Sequence, residues 1–126
     1  MKRKAFVAGQ FYPGDAGRLN EIIEKSSGPQ VLRRKAIAVV SPHAGYVYSG
    51  SVAGAVFSST VLPGTFIILG PGHREIGSLF AIQGKGSWLT PLGESRIETE
   101  LARLVDDCAT RRGPVKCPLI AALREA

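Results

Sequence analysis

The chain has 126 residues, of which 44% are hydrophobic and 21% charged, and this is long enough to bury one core. We therefore expect a single domain spanning residues 1–126. No stretch approaches the roughly 18 uninterrupted apolar residues that a membrane helix needs, so the sequence predicts a cytoplasmic protein with no membrane partner.

The formal net charge is +6, which raises the question of nucleic-acid binding. The basic residues lie in short separate groups, and no aromatic residues alternate with them to stack on bases. The distribution therefore argues against a nucleic-acid partner. The two cysteines, Cys108 and Cys117, are too few for a disulfide framework and lack the close spacing of a zinc knuckle, so we expect two reduced thiols.

The first half of the chain predicts a helix and then a strand-helix-strand unit. Asp15 is a candidate N-cap for an amphipathic helix that runs to about Lys25. The segments Ala36–Val40 and Thr65–Leu69 are apolar without alternation, which is typical of strands covered on both faces. Ser51–Ser59 between them is a candidate crossover helix, so the two strands are expected to be parallel.

The second half predicts a short strand over Leu79–Gln83 and a helix over Ile97–Asp107. Leu119, Ile120 and Leu123 begin a further amphipathic helix that the end of the chain cuts short. Together these elements predict the α/β class, with a mostly parallel central sheet and flanking helices.

The two histidines, His43 and His73, each follow one of the predicted buried strands. Ligands of parallel α/β sheets bind beyond the carboxyl ends of the strands, so neighbouring strands are expected to present both imidazoles to one cleft. Histidine is the commonest metal ligand and also a general base near neutral pH. A histidine in a turn is also often a simple surface residue, and two ligands do not complete a catalytic metal site.

Other residues allow more than one interpretation. Tyr46 and Tyr48 are candidates to orient a substrate, or they are packing residues. Arg74, beside His73, is a second candidate substrate-binding residue. The small residues Gly50–Gly54 either hold an anion with free backbone N–H groups or let their helix lie close to the sheet.

Four segments, taken in order, resemble the MEMO1 family, which includes protein B of the AmmeMemoRadiSam system. The segments are Val7–Pro13, Pro42–Gly50, Ile68–Arg74 and Thr90–Gly93. The resemblance covers roughly Met1 to Val105, and its most specific part is the run Pro42-His43-Ala44-Gly45-Tyr46.

This resemblance implies a fold like that of the class III extradiol dioxygenases (LigB-like), with a metal pocket at the strand ends. It implies that His43 and His73 are ligands to Fe(II) or Cu(I), and that the full-length form has redox or dioxygenase-like activity. It assigns no catalytic residue in this chain. A further cysteine ligand and an aspartate-histidine pair come from the family's C-terminal half, so residues 1–126 are expected to be the N-terminal half of a truncated MEMO-like domain.

The end of the chain departs from the family pattern. Residues 110–126 are expected to be divergent or truncated, and Cys117 is not equivalent to the family's cysteine ligand. Two other functions stay open. One is a non-catalytic interaction module that binds the radical-SAM and AMMECR1-type proteins of the same system, and the other is an inactive fragment.

Overall fold

A computed structural model of the chain describes residues 1–29, 31–71, 81–111 and 119–124. Among these residues lie three helices and five strands: β1 (Lys2–Arg3), α1 (Ala16–Ser27), α2 (Tyr46–Ser58), β2 (Thr65–Gly70), β3 (Ser87–Thr90), β4 (Gly93–Ile97), α3 (Thr99–Arg111) and β5 (Leu119–Arg124). No helix in these ranges is long and apolar enough to cross a membrane. His73, Arg74, Leu79, Phe80 and Cys117 lie outside the described residues.

The chain divides into two compact units. Unit 1 consists of Met1–Lys4, Gly64–Leu89 and Glu94–Ala126, and unit 2 consists of Ala5–Pro63 and Thr90–Gly93. Unit 2 therefore contains helices α1 and α2, whereas unit 1 contains most of the sheet and helix α3.

Helix α1 begins where the sequence predicts. Asp15 has the extended backbone of an N-cap, and its Oδ1 accepts a hydrogen bond of 2.9 Å from the backbone N–H of Arg18. Gly28 ends the helix with φ at 64°, a conformation that side-chain-bearing residues rarely adopt. Leu19 is buried, so the predicted amphipathic helix is confirmed.

Helix α2 packs against α1 through its smallest residues. A Cβ atom at Gly50 would lie 3.2 Å from the Ser26 hydroxyl oxygen, and one at Gly54 would overlap the Ser26 carbonyl. The predicted close approach of Gly50–Gly54 is therefore present, but its partner is a helix and not the sheet. The helix also begins at Tyr46, five residues before the predicted Ser51.

The sheet runs in the order β1-β3-β4-β5-β2. Strand β1 pairs in parallel with β3, whereas β5 pairs antiparallel with both β2 and β4. In unit 1, Ile97 and Ala102 form a small buried cluster, against which Ile82, Trp88 and Leu101 pack. Trp88 donates a hydrogen bond of 2.6 Å from its indole Nε1 to Gln83 Oε1, which satisfies this partly buried polar atom.

The α/β class is confirmed, but the prediction of a mostly parallel sheet is wrong, because the sheet is mixed. Ala36–Val40 forms no strand, and Ile37 and Val40 are 109% and 93% exposed. The last residue before this segment with a described backbone pairing is Arg34. Its N–H donates a hydrogen bond to the carbonyl of Ser59, and its carbonyl accepts one from the N–H of Val61. Without neighbouring strands an apolar segment cannot form a ladder, so the predicted parallel strand-helix-strand unit is not formed.

Three further predictions have mixed outcomes. The strand over Thr65–Leu69 is confirmed as β2, yet it lies at the edge of the sheet and is not covered on both faces. The helix predicted from Leu119 is wrong, because Leu119–Arg124 is strand β5. A run this short cannot be assigned by periodicity, and pairing with β2 and β4 determines its structure. The described part of Leu79–Gln83 belongs to no named strand.

Candidate functional site

The loop that carries His43 is fixed to the first turn of helix α2. The buried Ser49 donates a hydrogen bond of 2.9 Å from its hydroxyl to the carbonyl of Ala44, one residue after His43. The side chain of His43 is exposed. The expectation that His43 directly follows a buried strand is wrong, but the residue still has a defined position at the N-terminal end of α2.

A turn near the N-terminus holds this loop from the other side. The backbone N–H of Tyr46 donates a hydrogen bond of 2.8 Å to the carbonyl of Phe11. A Cβ atom at Gly45 would lie 3.2 Å from the Phe11 ring, so a side chain here would be crowded against that ring. Two of the segments that carry the family resemblance, Val7–Pro13 and Pro42–Gly50, are thus in direct contact.

Aromatic rings line the space beside this contact. The Tyr12 and Tyr46 ring centroids are 5.5 Å apart with the planes inclined at 45°, a geometry that is typical of aromatic pairs. They belong to an open cavity of about 370 Å³, which the turn Gly9–Asp15, two residues of α1 and the start of α2 enclose. Arg18 is the cationic side chain of this lining.

The cavity includes one predicted site residue and several that the sequence did not indicate. Tyr46 lines it, as expected of a substrate-orienting residue, whereas His43 and Tyr48 are not among its lining residues. Phe11, Tyr12 and Arg18 were missed because the Tyr12-Pro13-Gly14-Asp15 run indicates only a turn and a helix start. For Phe11 and Tyr12 the available signal was their place in the family-resemblance segment Val7–Pro13; Arg18 had no such signal.

The environment of Tyr12 makes its hydroxyl a weaker acid. Burial, followed by the neighbouring Tyr46, raises the pKa of Tyr12 above 10.0. The folded state therefore holds the Tyr12 proton more tightly than the unfolded state does. The protonated Tyr12 contributes to the free energy of unfolding below pH 10, and this contribution is lost as the pH rises further.

We expect Tyr46→Phe to lower the pKa of Tyr12 without returning it fully to 10.0, because burial is the larger cause and stays. Ultraviolet titration of the phenolate band measures this pKa. Tyr48→Phe is the matched control, since Tyr48 is 84% exposed and does not affect the Tyr12 pKa in this structure. An unchanged Tyr12 pKa in the Tyr46→Phe variant would show that the Tyr46 hydroxyl does not raise the Tyr12 pKa.

The metal-ligand prediction concerns two residues, of which the structure describes one. Among the described residues, no group of three or more histidine, cysteine, aspartate or glutamate side chains is placed to hold a metal ion. A catalytic metal site normally takes three protein ligands and keeps one open position. The described residues therefore do not form a complete metal centre by themselves.

Comparison with known proteins identifies the family. The family model for Memo-like proteins matches residues 3–111. A MEMO1 family protein of Thermococcus onnurineus is 48% identical over 111 residues, which are 83% of this chain and 38% of the relative. One from Pyrococcus furiosus is 42% identical over 113 residues, covering 85% of this chain and 38% of the relative. A relative from Caldivirga maquilingensis is 40% identical over 118 residues, covering 83% of this chain and 42% of the relative.

These matches define a protein of the Memo-like class. The chain belongs to the MEMO1 family, and the predicted resemblance is confirmed. The chain spans about two fifths of the length of these relatives.

Proposed function

We propose that His43 and His73 are neutral imidazole ligands to a single iron or copper ion in a MEMO1-type redox centre with a LigB-like fold. The observation that carries the proposal is the fixed His43 loop, which Ser49 and the Phe11 turn hold at the start of α2 with the imidazole exposed. Both histidines lie within residues 3–111, the part that matches the family.

The remaining ligands would come from polypeptide beyond the matched region. Two imidazoles leave at least one ligand position of a catalytic site to be supplied, so this chain alone should bind metal weakly. When bound, such an ion supplies redox chemistry or oxygen activation. The chain's own contribution to the centre is the two imidazoles. Tyr46 is proposed to orient substrate in the cavity that it lines, and Arg74 is proposed as a second substrate-binding residue.

Anaerobic titration of the purified chain with Fe(II) and with Cu(I) tests this proposal. We expect one weakly bound ion per chain, and a loss of affinity of about tenfold or more in His43→Ala and in His73→Ala, which is comparable with the known cost of disturbing a metal site. Unchanged uptake in either variant would defeat the assignment.

Thiols need a matched control, because Cu(I) prefers soft sulfur ligands and Cys108 is an exposed free cysteine. Cys108→Ser and Cys117→Ser should leave Fe(II) binding unchanged if the imidazoles are the ligands. If Cu(I) binding disappears in these variants and survives in His43→Ala, copper binds to the thiols and the proposed copper site is wrong.

A further inference from the structure

The buried hydroxyl of Ser49 makes a hydrogen bond that is unusual for a serine in a helix. It donates over 2.9 Å to the carbonyl of Ala44, five residues earlier, and lies 3.4 Å from the carbonyl of Gly45, four residues earlier. A helical serine ordinarily bonds to the carbonyl four residues back. The shorter bond therefore reaches past the ordinary acceptor to a residue that precedes the helix.

Other hydroxyl groups in α1, in α2 and just after α2 follow the ordinary pattern. They donate to carbonyls three or four residues earlier, and the residues concerned are Ser27, Ser58, Ser59 and Thr60. The acceptors of these bonds lie inside the helices. The Ser49 bond is different, because its acceptor Ala44 belongs to the loop that carries His43.

The start of α2 has no side-chain cap that could fix this loop instead. Its N-cap residue is Gly45, whose carbonyl accepts the first backbone bonds of the helix, from Tyr48 and Ser49. The Ala44 carbonyl lies one residue further out and is bonded to the Ser49 side chain. The hydroxyl thus extends the hydrogen bonding of the helix by one residue, to the position next to His43.

Loss of this hydroxyl is expected to free the loop while the helix stays folded. Ala44 is exposed, so water can replace the hydroxyl as the donor to its carbonyl. Exchanging a protein donor for water changes the net free energy of folding only modestly. Water does not hold the carbonyl in a fixed direction, however. The Ser49 hydroxyl therefore affects the geometry of the backbone beside His43 more than it affects stability.

We propose that Ser49 is a positioning residue for His43: its hydroxyl fixes the Ala44 carbonyl and thereby the direction in which the loop presents the imidazole. Ser49 itself contacts neither a metal ion nor a substrate in this role. Removing the groups that orient a metal ligand lowers the affinity of the site. The expected effect on metal affinity rests on the proposed function, whereas the expected effect on the rigidity of the loop does not.

Nuclear magnetic resonance relaxation of the metal-free 126-residue chain measures this rigidity. We expect backbone order parameters at His43 and Ala44 of about 0.85 in the unmodified chain and below about 0.6 in Ser49→Ala, the values of rigid and flexible backbone. Ser59→Ala is the matched control, since it removes a hydroxyl bonded at 2.8 Å within the same helix and should leave both order parameters unchanged. Leu19 in α1 should stay rigid in both variants, which separates a loosened loop from unfolding.

Two further variants separate the hydroxyl from the rest of the side chain. Ser49→Thr keeps the hydroxyl and should restore the rigid loop, whereas Ser49→Cys keeps the shape with only a weak donor and should loosen it. Ser49→Cys also makes the test if Ser49→Ala does not fold. A rigid His43 in these two donor-deficient variants, a mobile His43 in Ser49→Thr, or equal loosening by Ser59→Ala would overturn the proposal.

Anaerobic Fe(II) titration of the same chains tests the consequence for the metal. We expect Ser49→Ala to weaken binding about tenfold. Ser59→Ala should bind as the unmodified chain does, and Ser49→Thr should recover the affinity. If the unmodified chain binds no Fe(II), the proposed metal function fails, and the order parameters still decide the role of Ser49. If Ser49→Ala loosens the loop yet binds Fe(II) as tightly as the unmodified chain, the positioning role is wrong.

Discussion

Gly54→Ala is expected to destabilise the packing of α1 on α2 despite improving the helix propensity of α2. The new Cβ atom would overlap the backbone carbonyl of Ser26, which cannot move aside as a side chain can. Overpacking of this kind costs about 1–3 kcal/mol. The gain in helix propensity recovers at most about 1 kcal/mol. We expect a net loss at the upper end of that range, because both the carbonyl oxygen and its carbon are too close.

Gly50→Ala is the matched control for this prediction. It lies on the same buried side of α2, but the one tight contact of its Cβ atom would be with the Ser26 hydroxyl, at 3.2 Å, which can rotate away. Urea denaturation measured for both variants by far-ultraviolet circular dichroism compares their free energies of unfolding. Equal stabilities for Gly50→Ala and Gly54→Ala would show that α2 does not approach α1 as described.

Gly86→Ala is expected to destabilise unit 1 by a comparable amount. Gly86 has φ at 103°, where a side chain is strained, and its Cβ atom would overlap the carbonyl oxygen of Met1. That carbonyl accepts a hydrogen bond of 3.1 Å from the Ser87 N–H, so moving it away breaks the pairing of β1 with β3. Backbone strain alone costs on the order of 1–3 kcal/mol, before the overlap is added.

Gly84→Ala, two residues earlier, is the control, because it has no atom within 4 Å of its Cβ position and no positive φ. Hydrogen exchange of the β3 amides measures the local effect. We expect faster exchange in Gly86→Ala and no change in Gly84→Ala. Unchanged protection in both variants would contradict the parallel pairing of β1 with β3.

Local signals made the helices predictable from sequence. Asp15 and the apolar residues of the following turns identified α1, since capping and periodicity depend only on neighbouring residues. Helix α3 was likewise expected, although it begins at Thr99 and not at Ile97. The start of α2 was missed by five residues, because Tyr46–Gly50 has no charged or capping side chain that marks a boundary.

The strands were harder to predict, because strand formation depends on partners that are distant in sequence. Ala36–Val40 and Thr65–Leu69 have the same apolar composition, yet only the second is a strand, and its partner is Leu119–Arg124. Composition alone could not distinguish them. The sheet was consequently predicted to be more parallel than it is.

The candidate site was predictable in its elements and not in its contacts. The sequence indicated the His43 loop and Tyr46, but the ring contact of Tyr12 with Tyr46 joins residues 34 positions apart. No local pattern encodes such a contact. The family resemblance included both segments without indicating that they touch.

The division of the aromatic residues between the two units has a practical consequence. The single tryptophan, Trp88, belongs to unit 1, whereas all three tyrosines belong to unit 2. Excitation at the red edge of the absorption band therefore gives an emission signal from the first unit alone, and tyrosine emission comes from the second. Each unit has its own built-in fluorophore, so the order in which the two lose structure can be observed without any attached dye.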